Sequence, residues 1–205
     1  LTQHDTKPSY LDVIVTYEDC LQWGAPAIQG LSLEEFRSKY FAETEERSLA
    51  HILNLPLHPL FALAAVLHSN QVEEQVLHGL ALELAATFLD ASRAEGVYID
   101  FRSQLMLDTK RRWLNGQAST GEVASAYRLA TQAERDVSLL QDARVSAAAA
   151  VALSAGERVA GKASYGALRR MTEAHATPQD LARYNRVMRG VLGKHAPVRV
   201  QKKGA

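Results

Sequence analysis

The chain is predicted to be all-α, a single helical domain over residues 1–198 followed by a short frayed basic tail at 199–205. Three observations carry that expectation. Two capping boxes punctuate the chain, and apolar residues recur three and four positions apart. No β-like run is longer than Val97-Tyr-Ile99, and three residues do not make a sheet. Alanine is abundant while aromatics make up only 7% of the chain, which favours helices packed closely on one another over a β-sandwich.

Taken in order, the elements read as about seven or eight helices. Ser9 with Asp12 resembles a cap before Tyr10–Trp23, where Leu11, Ile14, Val15 and Leu21 form an apolar stripe and Gly24 ends the helix. Residues 25–31 hold Pro26 and Gly30 and read as loop. Ser32-Leu-Glu-Glu35 is a capping box, in which the serine oxygen accepts an orphan backbone N–H and Glu35 reaches back. It opens Leu33–Leu53, with Phe36, Tyr40 and Phe41 on one side. Pro56 and Pro59 interrupt, because proline lacks the donor and clashes with the preceding turn. A short buried helix follows from His58 to His68.

Val72–Ala94 is strongly amphipathic through Val76, Leu77, Leu80, Leu84 and Phe88, and Gly96 breaks it. Asp100 or Ser103 caps the next helix, which runs to Leu114 and closes at Asn115-Gly116. The second capping box, Ser119-Thr-Gly-Glu122, starts the longest helical stretch, Glu122 to Ala155. Val123, Tyr127, Ala130, Val137, Leu140 and Val145 are its core-facing residues, and Ala147–Ala150 lets a neighbour approach closely. Gly156, Gly161 and Gly166 loosen a segment ending near Ala176, and Thr177-Pro178 opens a last helix to Leu192.

With 47% apolar and 22% charged residues in 205, the chain has the make-up of one folded core and not of a disordered segment. No apolar run approaches the roughly 20 residues of a membrane span, so no membrane partner is expected. The start of the sequence shows no basic region followed by an apolar one, and a secretory signal is not read there. Cys20 is the only cysteine, which rules out an intrachain disulfide and points to a reducing, cytoplasmic compartment.

The net charge of zero hides an asymmetry. Residues 1–100 carry five Lys/Arg against fifteen Asp/Glu, and residues 101–205 carry eighteen against eight. Folding the halves together would cancel much of the field; otherwise it would steer association, whether with itself or with an anionic partner. Glu43, Glu45, Glu46, Glu73 and Glu74 are the candidate residues for a protein partner, and homo-oligomerisation is a further option. Lys110, Arg112, Arg169, Arg170, Arg183 and Arg186 are the candidates for an anion such as a nucleic-acid backbone.

Catalytic motifs fail their own tests. Gly156-Glu-Arg-Val-Ala-Gly161-Lys162 has the spacing of a phosphate-cradling loop. Yet Ala163 stands where a hydroxyl must meet Mg²⁺, and an Ala-rich helix precedes it where a strand is needed. His51, His58, His68 and His78 lack the one-turn spacing of zinc ligands, and Glu74 with His78 reads as a surface pair. Cys20 sits beside Asp19, which disfavours its thiolate. No catalytic residue, cofactor or metal is expected.

Several of these features occur together in one family. Cys20 and Trp23, the Ser32-Leu-Glu-Glu35 helix start, the Leu/Ala-rich helix His78–Leu89, Asp100-Phe-Arg102, Arg111-Arg-Trp113 with Gly116, and the Ala-rich arm Ala124–Ala155 follow one another in that order. In that order they resemble a helical family of bacterial and phage immunity proteins from polymorphic toxin systems, across residues 17–165. Ser103 departs from it, standing where the family tends to have proline. The resemblance implies an all-α protein that neutralises a toxin by binding it, with no catalytic residues. The expected function is therefore non-catalytic recognition of a protein partner; the alternative is a nucleic-acid-associated or self-assembling structural protein using the basic second half.

Overall fold

The computed structural model describes residues 9–22, 24, 30–55, 57–69, 71–174 and 177–195. Its first elements are short. The Ser9–Asp12 capping box forms as read, but it closes only a single 3-10 turn, Tyr10–Asp12. The chain then extends as β1 (Ile14–Thr16) and turns into α1 (Tyr17–Gln22). Thus the helix expected over Tyr10–Trp23 is replaced in its middle by strand. The reason lies in Ile14-Val-Thr16, β-branched residues that alternate with Ile14 half exposed and Val15 buried.

The partner strand was equally hidden. α2 (Leu33–Tyr40) starts at the Ser32 box and ends far short of Leu53. β2 (Glu46–Ser48) follows and pairs antiparallel with β1, Ile14 opposite Ser48 and Thr16 opposite Glu46. Ser48 then caps α3 (Leu49–Ile52). Val97–Ile99, the fragment with β character, forms no strand. His58 caps α4 (Pro59–His68) by accepting the Leu60 N–H on Nδ1, and this helix is buried along most of its length.

α5 (Glu74–Ala94) is the axis of the molecule and packs against four later helices. Gly96, in the left-handed region at φ +79°, turns the chain out of it. α6 (Phe101–Leu114) is capped by Asp100, whose carboxylate also binds Arg102, and Arg102 in turn reaches Asp136. The Asp100-Phe-Arg102 element is therefore a clamp that ties the start of α6 to the end of the next helix. α7 (Thr120–Ser138) opens with the Ser119 box.

The expected run from Glu122 to Ala155 is broken at Leu139–Gln141, where Gln141 takes φ +55° and both leucines are exposed, Leu140 included. The longest helix is accordingly α5. Asp142 caps α8 (Ala143–Ala155), which pairs with α9 (Ala160–Ala174) across buried Ala148, Ala152, Ala155, Ala163 and Ala167. Gly161 and Gly166 lie inside α9 and do not loosen it; a Cβ on Gly166 would come within 3.2 Å of Ser154 on α8. Thr177 and Pro178 start α10 (Pro178–Gly193) as read.

Ten helices form among the described residues, against the seven or eight expected. None of them is long and apolar enough to cross a membrane. The halves of opposite charge do fold together, since α5 of the acidic half lies against α6, α8, α9 and α10 of the basic half. Ion pairs do not do this work. Of those formed among the described residues, Asp100–Arg102 alone crosses the boundary at residue 100.

Candidate functional site

The N-terminal turns of α5, the C-terminal turns of α6, the first half of α7 and the α8–α9 turn enclose a cleft of about 1020 Å³. Trp113, Leu114, Val123 and Tyr127 give it apolar walls, and Glu74, Arg128 and Arg158 stand at its exposed rim. Such a pocket, mostly apolar with a few convergent polar groups, is the usual form of a binding site.

Its floor holds two polar side chains out of water. Lys110 is 2% exposed and His78 is 3% exposed. Lys110 and Trp113 are three residues apart on α6 and so share a face; Nζ lies 4.5 Å from the centre of the indole ring. The His78 ring meets the same indole edge-on at 5.4 Å. Nζ donates to the Glu157 carbonyl at 3.1 Å, while the Glu157 carboxylate accepts from the Tyr127 phenol at 2.8 Å. His78 Nδ1 has no hydrogen-bond partner.

The surroundings shift each titration. Burial pushes the Lys110 amine down to about 8, against the pull of the Glu157 carboxylate. Burial and then the Lys110 charge bring His78 down to about 4, with a hydrogen bond to the Arg158 backbone acting the other way. Burial and the bond to Glu157 push the Tyr127 phenol up to about 12, aided by the fields of Glu157 and Glu134. Near neutral pH the floor thus presents a neutral imidazole, a neutral phenol and an amine that is still mostly charged.

The phosphate-loop spacing resolves into something else. Gly156 to Val159 is the turn between two helices, and Gly156 has an ordinary φ of −72°. A Cβ there would meet Met106 Sδ at 2.9 Å, so the glycine is needed for close packing against α6. The turn matters to the cleft through its backbone, which holds Lys110.

The residues singled out by sequence fall in several places. Glu43, Glu45 and Glu46 are exposed between α2 and β2 or on β2 itself, and Glu45 pairs with Arg37. Glu73 and Glu74 are exposed where α5 begins, with Glu74 on the cleft rim. Among the cations, Lys110 is removed from any surface stripe by its burial. Arg112 pairs with Glu122, Arg169 and Arg170 share Glu173, and Arg183 lies 3.8 Å from Asp180. Arg170 also borders a groove between α7, α8 and α9, and Arg186 borders a notch beside Asn185 on α10.

His78 is buried beside Trp113 and does not form the surface pair expected with Glu74. Among the described residues no three His, Cys, Asp or Glu side chains gather as metal ligands. Cys20 is buried, and burial with the Asp19 charge pushes its thiol up to about 12, which disfavours the thiolate. Trp23 lies outside the described residues.

Among the described residues the fold is all-α, and the cleft beside Trp113 has room for a ligand. Comparison of the chain with family models, curated proteins and solved structures finds no match in any of the three.

Proposed function

We propose that this is a non-catalytic recognition protein that binds a protein partner and anchors it in the cleft above Lys110, His78 and Trp113. Immunity-type neutralisation of a toxin is the specific form. The single observation that carries the reading is the cleft itself: an aromatic wall open to solvent on one side, over buried polar groups whose bonding capacity is not used up. Tryptophan and tyrosine are the side chains that most often anchor interfaces, because they offer a large apolar body with a polar handle.

The alternative, a nucleic-acid surface on the basic half, has less to support it, since four of its six cations already face a neighbouring carboxylate. Affinity capture from the source organism, at low and at high salt, separates the readings. One defined protein should be retained through high salt by the wild type and lost by Trp113→Ala, with helicity unchanged by circular dichroism. Co-expression should then relieve that protein's toxicity. Nucleic acid released by salt would overturn the proposal.

A further inference from the structure

Lys110 is an ammonium almost wholly removed from water, yet it forms no ion pair among the described residues. A buried charge normally finds an opposite one, because taking it out of water is costly. The acid that could serve is Glu157, and its carboxylate is engaged by the Tyr127 phenol. Nζ has three donors, and the Glu157 carbonyl accepts one. Beside it, His78, 3% exposed, lines the same cleft, and its buried Nδ1 has no hydrogen-bond partner. Among the charged side chains lining the cleft, Lys110, Arg128 and Arg158 outnumber Glu74 and Glu157 by one, which favours an incoming anion over a cation.

We propose that the cleft takes a carboxylate attached to an apolar, preferably aromatic, body: the carboxylate pairs with Lys110 Nζ, and the body lies against Trp113 and the Tyr127 ring. This rests on reading the cleft as the binding site. The ligand supplies the direct ion pair that Glu157, turned to Tyr127, acts on only at a distance, at a buried amine where a charge-assisted hydrogen bond is strong. A hydroxyl or amide N–H next to the carboxylate would also satisfy His78 Nδ1. The same group can come from a free small molecule or from the chain end of a protein partner.

The chain has two tryptophans, so Trp23→Phe leaves Trp113 as the sole indole reporter. In that background, 3-phenylpropionate should change the Trp113 emission saturably, and 3-phenylpropionamide should bind at least about tenfold more weakly. Lys110→Met should weaken the acid by a similar factor and leave the amide unchanged. Equal binding of acid and amide to the unmodified site overturns the proposal without relying on any variant at Lys110. So does the absence of saturation at millimolar acid.

A peptide ending in phenylalanine that binds more tightly than 3-phenylpropionate assigns the carboxylate to a chain end, and the reverse order assigns it to a small molecule. Capture of a partner that depends on Trp113 but is indifferent to Lys110→Met would overturn this inference and leave the recognition reading standing. Carboxylate binding with no captured protein would do the opposite.

Discussion

Two clusters of aromatic side chains, built from similar materials, are finished differently. Near the start of the chain Phe36 packs edge-on to Tyr40 at 5.2 Å and to Phe61 at 5.7 Å, and Phe41 meets Tyr17 at 5.5 Å. Phe36, Phe41 and Phe61 are all buried, and the Tyr17 phenol finds the Leu33 carbonyl. In the cleft, Trp113 and Tyr127 are only partly covered, and beneath them lie an unpaired ammonium and an orphaned imidazole nitrogen. The first cluster is complete as it stands and contributes stability. The second gives up stability and keeps its capacity for a ligand.

Substitutions should expose that contrast. Phe36→Ala empties the centre of the first cluster and should cost about 3–5 kcal/mol in denaturant unfolding. Lys110→Met should act in the opposite direction. The amine titrates at about 8 in the folded chain against 10.5 when free, so between those values the unfolded chain holds a proton that the folded chain has released. Wild-type stability must therefore rise from Lys110 across that window, and at pH 7 the buried charge is unfavourable.

Removing that charge should add on the order of 2–3 kcal/mol at pH 7 and abolish this part of the slope, read as the difference between the two proteins. The charged and titratable groups around it are Glu74, His78, Tyr127, Arg128, Glu157 and Arg158; His78 titrates below the window in either state, while the Tyr127 phenol, at 10.0 when free and about 12 when folded, opposes the slope at the top of the window, which is why the slope is read as a difference. A difference in stability between wild type and Lys110→Met that stays constant through that window would remove the contrast. Gly156→Ala is the smallest test, crowding Met106 under the cleft; it should cost about 1–2 kcal/mol without any loss of nucleotide affinity, since none is expected.

Three of the long helices are legible in the sequence, whereas the short elements are not, and the 15-residue α9 is masked by its glycines, which read as loosening it. α5, α6 and α7 carry several turns of periodic apolar residues and start at Glu73, Asp100 and Ser119, so local pattern and tertiary packing agree. β1 and β2 are three residues each, too short for a period to register, and they exist because they meet across about thirty residues of chain. The break at Leu139–Gln141 has neither Gly nor Pro to announce it.

The cleft was half visible. In the sequence Lys110 and Trp113, three residues apart, form a basic cluster with an aromatic, but the direction in which they face depends on α7 and on the α8–α9 turn. In the sequence His78 has the look of a surface residue because Glu74 stands one turn away, whereas Trp113 of α6 and the Arg158 backbone meet it in the fold. Glu157 carried no signal, since its decisive atom is a backbone carbonyl.

The break between α7 and α8 gives the molecule a seam. Leu139 is 81% exposed and Gln141 holds a left-handed backbone, conditions that suit a protease or an inserted sequence. On either side the contacts are made by whole helices, with α8, α9 and α10 laid against α5. Cutting the chain at the seam should therefore yield a split protein, whose fragments 1–140 and 141–205, produced together, copurify as one folded body. The short bend that hid a helix boundary is thus also the place where a reporter or a tag can be spliced in with the least disturbance to the cleft.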